Sequence, residues 1–390
     1  MKKLLSLALA LLMLAVMLPV VSMADEIIWE GSNNVYWQAG DTSGQTATLA
    51  EALKAAYMAN NGDITITCRP GSNVGSLTHG HVADNITIIG NGAYISGGEC
   101  DLEVDTFMFS RDTGSQVKSG GAYLDKDITI TASNLYNLGV WGQRNTNYTV
   151  NINLTNCDSK EISGEVNVQR VYISGTTGVN NITVTDCDFL TKATALYSNA
   201  NGTVVIDNCT FKGGQVPVNF NHKADGKQTV AVKNSTFTNC GDEGEWSAFA
   251  APVRFVNSGT GSLDATIENN TFTGTVGNNG DILLGDYREG KESHDVTATI
   301  TPNGTTKVRN SGITDEPTPI TGKVTADAKG TITPVKEEGP TTIVIISPTQ
   351  DTPKTDDQKN PTTGANDLVA VAVAVAALAL AGSAIILRKD

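Results

Sequence analysis

The sequence predicts an all-β chain wound as a strand solenoid, with one short helix ahead of the first coil. Three observations carry that prediction. A motif is written five times: Leu154-Thr155-Asn156-Cys157-Asp158, Val184-Thr185-Asp186-Cys187-Asp188-Phe189, Val205-Ile206-Asp207-Asn208-Cys209-Thr210-Phe211, Val232-Lys233-Asn234-Ser235-Thr236-Phe237 and Ile267-Glu268-Asn269-Asn270-Thr271-Phe272. Its Asn or Asp positions lie 30, 22, 26 and 35 residues apart, the drifting period of stacked coils with insertions. Apolar and polar residues alternate within each copy, so a turn at Asn208 puts Ile206, Cys209 and Phe211 inside and Asp207 and Thr210 outside. Stacking then predicts a column of Phe189, Phe211, Phe237 and Phe272, about 4.8 Å between neighbours. A corner column of Asn156, Asn208, Asn234 and Asn269, interrupted by Asp186, follows as well. Asn suits such a corner because it tolerates unusual backbone angles and its amide can bond the next coil. An ordinary β-sandwich with Asn turns is the competing architecture.

The elements follow in chain order. Residues 1–24 open with Lys2 and Lys3, run apolar from Leu4 to Val21 and close on Ser22-Met23-Ala24. A basic start, an apolar run and a small-x-small ending read as a secretory signal peptide, with an uncleaved anchor as the alternative. Asp25 to Ser43, with Trp29, Tyr36 and Trp37, is a lead-in strand and loop. Thr48-Leu49-Ala50-Glu51 is a capping box that opens a helix with an apolar stripe of Leu49, Leu53, Ala56 and Tyr57. Asn60-Asn61-Gly62 ends it, and Asp63-Ile64-Thr65-Ile66-Thr67-Cys68 alternates as the first strong strand. A turn at Pro70-Gly71 and the strand Asn85-Ile86-Thr87-Ile88-Ile89-Gly90-Asn91-Gly92 come next.

That succession resembles the N-terminal cap of right-handed parallel β-helix proteins, the pectin-lyase-like fold. The resemblance covers residues 25–300 and implies a parallel β-helix with a short N-terminal capping helix. At roughly 24 residues a coil it implies about ten coils. Past residue 300 the pattern fades, and residues 301–359 are expected to be a terminal cap and an extended linker rich in Pro, Thr, Asp and Lys.

Residues 360–390 carry a different signal. Asn360-Pro361-Thr362-Thr363-Gly364 precedes the uncharged run Leu368 to Leu387, long enough to cross a bilayer, and Arg388-Lys389 follow at once. A pentapeptide x-Pro-x-Thr-Gly, an apolar span and a basic tail resemble the cell-wall sorting signal of Gram-positive surface proteins. The resemblance implies cleavage by a sortase between Thr363 and Gly364 and linkage of the Thr to peptidoglycan. The membrane is then touched only through the transient span. Asn360 stands where that family usually has Leu, which leaves the sortase class open. A glycolipid-anchor signal or a plain membrane helix is the alternative.

The chain has 390 residues and a net charge of −14, and it is more negative still without its two ends. Such a surface excludes nucleic acid and anionic lipid as main partners. Of the six cysteines, Cys157, Cys187 and Cys209 share one repeat position. Neighbouring coils would bring them close but with parallel side chains, which is poor disulfide geometry. Buried free thiols and disulfides both remain open readings, with thiols favoured. Cys68, Cys100 and Cys240 have no assigned partner, and without a Cys-x-x-Cys neither a zinc nor a redox motif is supported.

β-Helix enzymes of the resembled class cut polysaccharides on outward positions of successive strands. Their lyases use an Arg or Lys base with calcium-holding acids, and their hydrolases use clustered Asp. The strands that follow each motif are therefore the place to look: Arg170-Val171-Tyr172-Ile173-Ser174, Ala195-Leu196-Tyr197-Ser198, Val218-Asn219-Phe220-Asn221-His222-Lys223, Val253-Arg254-Phe255-Val256-Asn257 and Ile282-Leu283-Leu284-Gly285-Asp286-Tyr287-Arg288. With Phe220 and Phe255 inside, Asn219, Asn221 and Arg254 face out on adjacent coils. His222, Lys223, Asp286, Tyr287 and Arg288 sit at the rim. Such a groove can bind a glycan, Tyr287 stacking, Asn219 and Asn221 meeting hydroxyls, Arg254 and Lys223 meeting acidic groups. A solvated polar face is the bland alternative. Within residues 25–300 no paired Asp and no Gly-His-Gly of the hydrolase kind occurs; His79-Gly80-His81 is a near miss in a loop. No cofactor is expected, calcium entering only under the lyase reading. The expected role is a wall-anchored adhesin or glycan-binding module, with a wall-bound polysaccharide lyase or hydrolase as the alternative.

Overall fold

The structure, a computed structural model, describes residues 27–59, 62–77, 80–81, 85–96, 101–103, 127–142, 147–162, 165–166, 170–241, 249–286, 295–312 and 315–336. Residues 1–24, which read as a signal peptide, residues 360–390, which read as a sorting signal with Thr363, Gly364 and the run Leu368 to Leu387, and Cys100, Tyr287 and Arg288 lie outside these residues. The described residues all fall in one compact unit. Among the described residues no helix is long and apolar enough to cross a membrane.

The described strands form a thirteen-stranded sheet, a ten-stranded sheet and a four-stranded sheet, with one small hairpin besides. From Val179 to Leu284 the chain visits the long sheet, then the four-stranded sheet, then the ten-stranded sheet, and begins again. Each visit pairs in parallel with the strand one turn earlier in the same sheet. Among the described residues the result is an all-β, solenoid-like architecture with long parallel sheets and a single helix.

Alternation places the core. In Gly202–Asp207 and Lys227–Lys233 every second residue is buried, and Val204, Ile206, Val230 and Val232 are fully so. After Ile206 comes the turn. Asn156, Asp186, Asn208, Asn234 and Asn269 all hold φ between 50° and 56°, the left-handed region that Asn and Asp enter more readily than other side chains. The column reaches further back than the repeat motif, since Asn91 and Asn134 share the conformation. Amide groups bond along it: Asn208 Nδ2 donates to Asp186 Oδ1 at 2.6 Å, Asn234 Nδ2 to Asp207 Oδ1 at 2.7 Å, and Asn156 to Asn134.

One residue on, Cys157, Cys187, Cys209, Ser235 and Asn270 form a buried file. Backbone N–H groups that the turn leaves unpaired donate to the side chain of the next coil: Cys157 to Cys187 Sγ at 3.3 Å, Cys209 to Ser235 Oγ at 3.1 Å, Ser235 to Asn270 Oδ1 at 2.9 Å. The thiols are free and buried, and the Cys157 and Cys209 thiols and burial push the Cys187 thiol up. Two residues further, the phenyl rings of Phe189, Phe211, Phe237 and Phe272 stack at 5.1, 4.8 and 5.0 Å.

Both ends are closed by antiparallel pairing, which satisfies strand edges that would otherwise recruit other chains. At the start, Val35–Ala39 pairs with Thr42–Thr46 and with Asp63–Cys68. The second of these strands lies in a stretch that reads as loop from its Thr-Ser-Gly-Gln-Thr sequence. The helix Leu49–Ala59 buries Leu49, Leu53, Ala56 and Tyr57. Its capping box is formed: Glu51 N–H donates to Thr48 Oγ1 at 3.3 Å, and Thr48 N–H to Glu51 Oε2 at 3.2 Å. At the other end, Thr318–Ile320, Val324–Asp327 and Ile332–Pro334 pair antiparallel onto the last coil.

Candidate functional site

The ten-stranded sheet carries one residue per strand that points outward at a common level. Cα register runs Trp141↔Tyr172, Tyr172↔Tyr197, Tyr197↔Asn219, Asn219↔Arg254 and Arg254↔Leu283. Strands only three to five residues long produce this column because their flanking residues point in. Val171 and Ile173, Leu196 and Ser198, Phe220 and Phe255 are all buried, and the last two rings stack at 6.2 Å. Asn219, Asn221 and Arg254 do project from the outer side of the sheet, as the sequence suggests.

The column divides into two halves with different chemistry. Its second half is covered. Arg254 is only 3 % exposed, Asn219 4 % and Asp286 4 %. Arg254 Nη1 donates to Asn219 Oδ1 at 3.0 Å and Nη2 pairs with Asp286 Oδ2 at 3.1 Å, while the Phe249 ring lies 4.7 Å from the guanidinium. Burial of a cation here is offset by a carboxylate, an amide and an aromatic face. The guanidinium thus knits three coils together beneath the segment that carries Phe249.

The first half opens at Trp141 and Tyr172, whereas Tyr197 is buried. Trp141 and Tyr172 are half-buried, and Tyr172 stacks on Tyr197 with ring centroids 4.5 Å apart and planes 12° apart. Burial pushes the Tyr197 hydroxyl up to about 12, with the neighbouring Tyr172 adding to it, so this hydroxyl stays a neutral donor and acceptor at any ordinary pH. Beside the column Arg170 makes a two-pronged ion pair with Asp101, its Nε at 3.1 Å from Oδ1 and its Nη2 on Oδ2. Gly139 makes room for that pair, since a Cβ there would stand 2.0 Å from Asp101 Oδ1.

At the ends of the same strands lies a cleft of about 710 Å³ lined by Asn147, Thr176, Thr177, Lys223, Asp225, Ser258 and Thr260, with Ala224 and Gly259. Turn length makes it. Only residues 199–201 separate Leu196–Ser198 from Gly202–Asp207, whereas residues 174–178, 223–226 and 258–261 bridge the neighbouring coils. The short turn is possible because Gly202 adopts φ 125° with the Asn180 backbone against it: a Cβ would meet that carbonyl oxygen at 2.2 Å.

His222, expected at the rim, is instead fully buried next to this cleft. The Asn257 amide donates to Gly261 O at 2.6 Å and accepts from Gly259 N–H at 3.0 Å, which fixes its oxygen as an acceptor. His222 Nδ1–H therefore donates to Asn257 Oδ1 at 3.3 Å, and Nε2 meets the Asn201 side chain at 3.0 Å. Burial pushes the imidazole below its usual value. Its role is to tie the short turn to its neighbours. Lys223 is exposed and carries no ion pair among the described residues; Asn221 accepts from Ser258 Oγ–H at 3.1 Å.

The sequence reading therefore names one end of the column and not the other. Tyr172 and Tyr197 lie in strands it singles out, but their alignment with Trp141 depends on register across three coils of unequal length. The signal that finds them is an aromatic between two small or apolar residues: Val140-Trp141-Gly142, Val171-Tyr172-Ile173, Leu196-Tyr197-Ser198. Among the described residues, no group of three or more His, Cys, Asp or Glu is placed to hold a metal ion. Neither a protein-family model, nor a curated protein, nor a solved structure matches this chain.

Proposed function

We propose that this chain is an exported, wall-anchored surface protein whose solenoid is a right-handed parallel β-helix of the pectin-lyase-like kind, and that it binds glycans at the cell surface without cleaving them. The observation that carries the binding role is the outward column Trp141–Tyr172–Tyr197. Half-buried Trp141 and Tyr172 stand on neighbouring strands of a rigid sheet, with the Tyr172 ring stacked on Tyr197, and this row of apolar rings with polar rims is a platform against which the C–H groups of a sugar pack. Hydroxyl and amide groups in the adjacent cleft supply the directional contacts that a polyhydroxylated ligand needs. Of the two candidate bases of the lyase alternative, Arg254 and Lys223, Arg254 lies beneath Phe249 with its charge held by Asp286, while Lys223 is exposed. Anchoring rests on the sequence signals at the two ends, a sortase and peptidoglycan being the partners there.

The test is titration of the purified full chain against a panel of neutral and charged polysaccharides, with product analysis in the same tubes. Binding is expected with no new reducing or unsaturated ends. Trp141→Ala and Tyr172→Ala each weaken it about tenfold, equivalent to ~1.4 kcal/mol. Appearance of new chain ends would overturn the non-catalytic role, and unchanged affinity in both variants would remove the platform.

A further inference from the structure

The cleft beside the aromatic column holds two opposite charges that the fold leaves uncompensated. Lys223 and Asp225 both line it and both are exposed, and neither has an ion pair among the described residues, with each other or with a third group. One coil on, the turn supplies no counter-charge either, because His222 registers with Asn257 and the residues that follow are Ser258, Gly259 and Thr260. Nearby basic residues are treated differently. Lys227 reaches Asp264 at 2.6 Å, Lys233 reaches Glu268 at 3.4 Å, and Arg254 reaches Asp286 at 3.1 Å, each on the next coil. A cation and an anion thus stand unpaired on the walls of one concave, hydroxyl-lined site.

We infer that this cleft binds a zwitterionic sugar unit, Lys223 taking an anionic group of the ligand and Asp225 taking an ammonium group. The inference rests on the glycan-binding reading and names the charge class of the ligand at that site. A net charge of −14 repels polyanions at long range, whereas a unit carrying both signs has no net charge to repel. Ser258 and the two threonines Thr176 and Thr177 line the same walls, where ring hydroxyls would meet them. Thr176 is four residues past Tyr172, so the cleft opens at most ~14 Å along the chain from the platform. One short oligosaccharide spans both.

The probe is a glucosamine–glucuronate oligosaccharide, compared with its N-acetylated form and its carboxyl-reduced form, each titrated into the full chain. Blocking either charge is expected to weaken binding by about tenfold. In Lys223→Ala the carboxyl-reduced and parent probes should bind alike, while N-acetylation still weakens binding; in Asp225→Asn the pattern reverses. Both penalties should shrink from 0.05 to 0.5 M salt, roughly as the screening length shortens. If the parent and both derivatives bind the unaltered chain equally, or if each variant keeps both preferences, the charge assignment is overturned while glycan binding stands. If no probe and no panel polysaccharide binds, the glycan-binding reading falls, and this inference with it.

Discussion

At the residue scale, the positions that matter most are those where one side chain serves two coils. Phe211 is fully buried between Phe189 and Phe237, so Phe211→Ala leaves a cavity that rigid backbone above and below cannot fill. Its expected cost is about 3–5 kcal/mol, read from the denaturant midpoint. Asn208 serves by conformation as well as by its amide. Asn208→Ala should cost about 1–2 kcal/mol more than Asn208→Gly, because only glycine enters φ 53° without strain. These residues are legible in the sequence because the motif repeats their chemistry. Asn91 and Asn134 are not, since neither is followed three residues later by Phe; they share the conformation, not the spelling.

His222 extends the same logic to protonation. Burial lowers its folded-state affinity for protons below that of the unfolded chain. The unfolded state therefore binds more protons as pH falls through the usual imidazole value of 6.5, and stability present above that pH is lost below it. Thermal midpoints at pH 7.5 and 5.5 should differ more in the unaltered chain than in His222→Gln. An equal drop in both would show that His222 does not contribute.

At the element scale, sheet register decides which residues meet, and register is the part of this protein that sequence conveys least. Alternation in Gly202–Asp207 names the inner face of the long sheet without ambiguity. A three-residue strand such as Val171–Ile173 has no periodicity to read, and its aromatic gains meaning only beside Trp141 and Tyr197. Cover is equally hidden. Arg254 reads as an outward cation from its place between Val253 and Phe255, yet Phe249, five residues earlier, lies over it. Breaking this arrangement one partner at a time separates structure from binding. Asp286→Ala leaves the guanidinium without its carboxylate and should cost about 3–5 kcal/mol of stability, measured by denaturation. Glycan affinity per folded molecule should be unchanged by it.

At the scale of the whole molecule, closure and filling explain why the coils persist. Antiparallel strands end the thirteen-stranded sheet on both sides and the ten-stranded sheet on one, and the buried file of Cys157, Cys187 and Cys209 packs as small apolar groups with weak hydrogen bonds. Burial pushes the thiols of Cys68 and Cys240 up to about 12, so thiolate is scarce at neutral pH. The five described cysteines are expected to resist iodoacetamide at pH 8 in the native chain and to react fully in denaturant. Rapid native labelling, traced by mass spectrometry to any of those five, would show an open core.

The central claim is that a sugar lies on the outward aromatic column. Of the described tryptophans, Trp29, Trp37 and Trp141, only Trp141 belongs to that column; Trp246 lies outside the described residues. Indole emission followed during titration with the tightest-binding oligosaccharide, in the unaltered chain and in Trp141→Phe, tests it directly. A saturable change in the unaltered chain is predicted, absent from the variant even though calorimetry still detects its weaker binding. The same saturable change in Trp141→Phe would place the sugar elsewhere and contradict the account.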